Sequence, residues 1–196
     1  MAASINPLPI VQELPSHCPT NTLALDIGAG NGRHAIYLAR HGIHVDAIDV
    51  FPTAIDEIKS YARRHALPIQ ARIHDLRKSD PGFRGYGLVL CTLILHHLSP
   101  SRAVLLLESA RMQAMSGTVH ALAAITRDGD FYSEVLPETR FYPDSAELHR
   151  AYHDANWEIL SSYQERRKMS QESADGTPAE NLVSFLIARK TSLSLN

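Results

Sequence analysis

The chain has 196 residues, 44% of them hydrophobic, enough to fill one core but thin for two, so a single domain over residues 1–196 is expected. Its 19 basic and 21 acidic residues give a net charge of -2, which leaves no field to draw it onto a nucleic-acid backbone or an anionic membrane. A small-molecule partner is expected instead, in the cytoplasm, because two cysteines are too few for a disulfide framework and no export-type or membrane-spanning apolar run is visible.

Residues 1–20 carry Pro7, Pro9, Pro15 and Pro19, which leaves a short arm or lid with room only for an apolar turn at Ile10–Leu14. From Thr22 onward, short apolar runs alternate with helical stretches. Leu23–Ile27, Val45–Ile48, Ile69–Ile73, Leu88–Leu90 and Val119–Ile125 read as buried strands, and the alternation implies a parallel sheet. A helix is expected over Arg33–His41, closed by Gly42. Another begins at Pro52 and aligns Ile55, Ile58 and Ala62, and a third follows Ser99-Pro100-Ser101 with Val104, Leu105, Leu107 and Met112 as its apolar residues. Residues 126–143 break the rhythm with Phe131, Tyr132, Phe141 and Tyr142, an aromatic insertion that reads as a lid or a plug. A helix around Ser145–Asp154, a strand around Trp157–Gln164, a polar loop at Ser170–Ala179 and a last strand at Leu182–Ala188 follow. With no helix between them, the last two strands should pair antiparallel.

The chemistry concentrates after the first strand, where Gly28-Ala29-Gly30-Asn31-Gly32 leads directly into a helix. Glycines there let the backbone turn sharply and approach a ligand, and the helix start offers free N–H groups. Asp49, 17 residues after Gly32 at the end of the second strand, is placed to accept from both hydroxyls of a ribose. The spacing argues against a nicotinamide dinucleotide, whose fingerprint has glycine in the sixth position, where Arg33 stands here.

With Asp26 ahead of the loop, this pattern resembles the class I S-adenosylmethionine-dependent methyltransferases. The resemblance implies an α/β, Rossmann-like three-layer sandwich whose seven-stranded, mostly parallel sheet has the order 3-2-1-4-5-7-6 with an antiparallel last strand. It implies S-adenosylmethionine as cofactor, held by Asp26, Gly28, Ala29, Gly30, Gly32 and Arg33, by Asp49 and Val50 at the ribose, by Asp75 and Leu76 at the adenine, and by Cys91 and Thr92 at the tip of the fourth strand. Within that class the closest likeness is to the tellurite-resistance TehB branch, carried by Gly30-Asn31-Gly32-Arg33, Tyr37-Leu38-Ala39, Val45-Asp46-Ala47, Glu147-Leu148-His149-Arg150 and Leu186-Ile187-Ala188-Arg189-Lys190. The chain departs from that branch at Gly87, where an Asp commonly opens the fourth strand, and at Ser170-Gln171, where the branch carries His-Arg.

The reaction expected is methyl transfer to a small molecule by in-line displacement, with His96 or His97 as a general base, since an imidazole titrates near neutrality. Leu95, Phe131, Tyr132, Phe141, Tyr142 and Arg166 are the candidate acceptor contacts, and no metal is expected, His149 and His153 reading as a surface pair. A nicotinamide-dependent oxidoreductase and a non-catalytic S-adenosylmethionine-binding accessory protein are the alternatives. The sequence does not choose between monomer and homodimer.

Overall fold

A computed structural model describes residues 6–129, 139–172 and 178–192. The apolar runs become β1 (Leu23–Ile27), β2 (His44–Asp49), β3 (Ile69–Ile73), β4 (Leu88–Thr92) and β5 (Val119–Ile125). Every residue of β4 and β5 is buried, as continuous apolar runs in the middle of a covered parallel sheet must be. At the sheet edge, β3 buries only Ala71. Helices α1 (Pro9–His17), α2 (Arg33–Arg40), α3 (Pro52–His65), α4 (Pro100–Gln113) and α5 (Glu147–Tyr152) flank the sheet, and β6 (Trp157–Glu172) and β7 (Pro178–Lys190) complete it. The strand order is β3-β2-β1-β4-β5-β7-β6, with β7 antiparallel to both neighbours, as the sequence predicts.

Two apolar clusters form, one on each face of the sheet. One joins Ile10, Leu14, Leu38, Ile55 and Ile58 of the first three helices to Ala24, Leu90 and Phe185. The other seats Leu106 of α4 and Tyr152 of α5 on Leu25, Leu122 and Trp157. This arrangement leaves the carboxyl ends of β1 to β5 gathered at one rim, where ligands of open α/β sheets bind.

Three expectations are corrected. The amino-terminal arm forms a nine-residue helix, not a turn: Pro9 stands in its first turn, where a missing N–H costs nothing, and Ile10, Val11 and Leu14 seat fully on the sheet. Helix α4 turns a different side inward. Ala103, Leu106 and Ala110 are buried, whereas Val104, Leu105 and Met112 are 41%, 56% and 85% exposed. Apolar residues lie all round this helix, so composition does not pick a face; two alanines flanking one leucine give the side that lies close against a sheet. Lastly, the terminal strands outrun their apolar stretches. β6 pairs with β7 from Trp157↔Lys190 to Glu172↔Pro178, so strand takes in both ends of the expected polar loop, residues 170–172 and 178–179. The charged run Glu165–Lys168 has no apolar alternation to announce a strand, because backbone pairing to β7 holds it there.

Candidate active site

The glycine loop is built by three residues that all need left-handed backbone, Gly28, Gly30 and Gly32 at φ +69°, +54° and +76°, yet each leaves room for something different. A Cβ on Gly28 would lie 2.7 Å from Ile94 at the tip of β4, and one on Gly32 would lie 2.6 Å from Ile58 of α3. Only at Gly30 would a Cβ meet nothing within 4 Å. The first and third glycines therefore let neighbouring elements close up, and the middle one faces open space. The loop is tied to β2 by the Gly28 and Ala29 amides, which donate to the Ile48 carbonyl at 2.9 and 3.0 Å.

Asp49 is nearly buried and braced from both sides: Gly30 N–H donates to Oδ2 at 2.9 Å and Phe51 N–H to Oδ1 at 3.0 Å. Each oxygen keeps acceptor capacity on the cavity side. Asp26, fully buried near the end of β1, is in the opposite condition. Neither of its oxygens has a hydrogen-bond partner. Burial pushes its carboxyl up to about 7; the Ala35 amide and Arg33 moderate the rise without reaching hydrogen-bond geometry, and Asp49 adds to it.

A cavity of about 380 Å³ opens beside the loop and Asp49; Asp26, Ala29, Gly32 and Arg33 of the predicted set are not in its lining, Asp26 lying fully buried. Its walls bring together Gly28, Gly30, Asp49, Val50, Asp75 and Leu76 from the predicted set, with Phe51, Arg77, Ile94 and His97. Cys91 and Thr92 do not line it: both are buried, and Thr92 Oγ1 is engaged by His34 Nδ1 at 3.1 Å. The thiol of Cys91 is driven up to about 12 by burial, then by Asp26, which leaves it inert. Arg33 opens α2 at the margin of the loop, its proton affinity lowered by burial and by Arg167.

The paired histidines part company. They sit on a 3₁₀ turn, Leu95–His97, with ring centroids 4.1 Å apart. His97 lines the cavity, and His96 faces Tyr142, whose ring stacks 6.1 Å away. Burial, then His97 and Arg140, bring the His96 ring down to about 4, and its Nδ1 is buried without a partner. Burial first and then Arg140 also lower His97, against a pull upward from Asp49. Leu95 is core, 1% exposed.

Of the aromatic insertion, Phe131 and Tyr132 lie outside the described residues. Phe141 and Tyr142 are buried on opposite sides of the sheet, the backbone stitched by Phe141 N–H to the Leu98 carbonyl at 2.9 Å. They are core residues, and neither lines the cavity. Arg166 is exposed, and the alternation of β6 turns its neighbour Arg167 toward Phe185 instead.

Two residues that matter here escaped sequence reasoning. His34 is buried and bridges the Leu8 N–H, at 3.4 Å, to Thr92, tying the arm to the tip of β4. Arg77 forks onto Asp75. An Arg two residues after a strand-end Asp was the available signal for Arg77; nothing in a lone helical His signalled the other.

An antiparallel seventh strand, this strand order and a glycine loop flanked by carboxylates at successive strand ends place the chain among the class I S-adenosylmethionine-dependent methyltransferases by architecture. Sequence narrows the class. The family described as tellurite resistance protein TehB matches residues 16–180, and the chain belongs to that family. Hemagglutinin 1 of Eikenella corrodens is 24% identical over 166 residues, 85% of this chain and 54% of that protein. The crystal structure of TehB from Haemophilus influenzae superposes with a TM-score of 0.83 at 19% identity, over 97% of this chain and 64% of that one. A Burkholderia thailandensis 1,6-didemethyltoxoflavin-N1-methyltransferase, solved with 1,6-didemethyltoxoflavin and S-adenosylhomocysteine, gives 0.67 at 20% identity, covering 97% and 79%. The chain thus spans about half the length of the first relative and under two thirds of the TehB chain. Membership of this family runs against the nicotinamide-dependent alternative. No helix among the described residues is long and apolar enough to cross a membrane.

Proposed function

We propose that this chain transfers a methyl group from S-adenosylmethionine to a small-molecule acceptor. The observation that carries the reading is Asp26, a fully buried carboxylate with no partner on either oxygen, beside a loop that stays open at Gly30. An unpaired buried carboxylate is costly unless a cation answers it, and the donor's ammonium group is such a cation. Asp49, with acceptor capacity left on both oxygens, suits the ribose diol, and Asp75 and Leu76 suit the adenine, with Val50 and Phe51 at the rim. When bound, the donor supplies an electrophilic methyl carbon on a sulfonium and leaves as S-adenosylhomocysteine.

The chain's own contribution is to bind, orient and exclude water, because in-line displacement needs mainly a nucleophile held about 3 Å from the methyl carbon. His97, on the cavity wall, takes the acceptor's proton; His96 buttresses it through ring contact. A near-neutral chain and the heteroaromatic substrate of the toxoflavin N1-methyltransferase support a modest small molecule as acceptor.

Isothermal titration of the folded protein with S-adenosylmethionine is expected to give saturable binding; no heat with millimolar donor overturns the reading. Release of S-adenosylhomocysteine with a panel of acceptors separates turnover from a purely accessory role. For His97, whose ring is held below its ordinary 6.5, the base form persists through neutral pH, so the rate is flat there and falls only on the acid side. His97→Asn should cost about 10²-fold or more with a weakly acidic acceptor. Full activity in that variant removes His97 from the chemistry.

A further inference from the structure

The turn after β3 is held from behind. Lys78 and Ser79 amides donate to the Asp75 carbonyl at 3.0 and 3.3 Å, and the His74 ring meets the Ser79 carbonyl at 3.0 Å. Arg102 of α4 reaches back to the Leu76 carbonyl and to Asp80. Against this fixed frame Arg77 stands apart: its side chain is 65% exposed, yet it is committed to one partner. Nε donates to Asp75 Oδ1 at 2.8 Å, Nη2 donates to Oδ2 at 2.9 Å, and the Arg77 backbone N–H adds a bond to Oδ1 at 3.0 Å. An exposed ion pair contributes little to folding, so this fork matters for the cavity it borders.

A carboxylate offers about four lone-pair sites. Two are filled on Oδ1 and one on Oδ2, where the Lys78 ammonium also stands at 4.0 Å, beyond hydrogen-bond reach; this fixes the carboxylate plane and leaves one acceptor position, on Oδ2, in a cavity wall shared by Asp75, Leu76 and Arg77. We infer that Arg77 is a positioning residue that sets base selectivity: by forking onto Asp75 it leaves a single oriented acceptor, which suits the amino group of a 6-aminopurine and disfavours a 6-oxopurine. The oxygen of a 6-oxopurine would face a carboxylate with no proton between them. Hydrogen bonding from Arg77 also holds the Asp75 carboxyl down to about 2, so the acceptor persists at any physiological pH. Lysine, a point donor on a flexible stem, cannot reproduce the fork. The inference rests on the reading of Asp75 as the adenine partner.

The test is calorimetric titration of the wild type, Arg77→Ala, Arg77→Lys and Asp75→Asn with S-adenosylhomocysteine and with S-inosylhomocysteine. Arg77 is exposed, so its variants should keep the wild-type melting temperature. Arg77→Ala is expected to bind S-adenosylhomocysteine about fivefold more weakly, the upper worth of an exposed charged pair. Its affinity for the inosyl compound should change less, so discrimination shrinks, with Arg77→Lys intermediate. Wild-type protein that binds both compounds equally, with Asp75→Asn unaltered, overturns the adenine reading and the inference with it. If the wild type discriminates and Asp75→Asn does not, but Arg77→Ala keeps full discrimination or binds S-adenosylhomocysteine more tightly, Arg77 alone loses its role and is instead a competitor for Asp75.

Discussion

Asp26 is a residue whose cost in the ligand-free protein is the basis of the role proposed for it. Its folded pKa, raised by burial to about 7, lies above the ordinary 3.8, so the folded state holds the proton to higher pH than the unfolded chain does. The stability associated with it is therefore complete below the unfolded value and falls as pH rises through that window, by about 1.4 kcal/mol per pH unit. Asp26→Asn should raise the melting temperature of ligand-free protein, more at pH 8 than at pH 5, while abolishing donor binding. Scanning calorimetry at the two pH values checks the first half; an Asn variant that is no more stable at pH 8 refutes the buried-charge account. The same reasoning makes donor affinity increase with pH up to about 7, since the ammonium requires the ionised carboxylate.

At the level of elements, helix α4 separates what a sequence reveals from what packing decides. The Ser99 hydroxyl accepts from the Arg102 amide and Pro100 opens the first turn, so the start of the helix was readable from its capping residues. The buried face was not, because Val104, Leu105, Leu106 and Leu107 run consecutively and only contact with the sheet selects Leu106. Leu106→Ala should cost about 2–5 kcal/mol in urea unfolding, and Leu105→Ala should stay within about 0.5 kcal/mol. Equal losses would mean that the helix presents a different face. Strands β1, β2 and β4 were legible for the opposite reason: buried on both faces or nearly so, they have no face to choose, and their ends fix where Asp26 and Asp49 fall. Cys91 and Thr92 show the limit of that logic. Position at a strand tip does not say whether a side chain turns to the cavity or to the core, and His34, which occupies Thr92, comes from a different element.

Across the whole molecule, two of the three carboxylates proposed to hold the donor, Asp26 and Asp49, sit in paired strands, so their spacing is a property of the sheet, and the third, Asp75, is set by the turn that follows β3. The family motifs made this half of the site readable. The surroundings of the histidine pair were not readable, because the stacking of Tyr142 on His96 and the turning of Arg167 toward Phe185 come from long-range pairing that no local pattern announces. A consequence follows for how such a protein behaves in a mixture. The ammonium, the ribose and the adenine are common to the methyl donor and to what is left after transfer, so the roles proposed for Asp26, Asp49 and Asp75 apply to the spent molecule as to the fresh one. On that proposal occupancy would be governed by the proportion of the two in solution, and turnover would slow wherever the spent form accumulates, however abundant the acceptor.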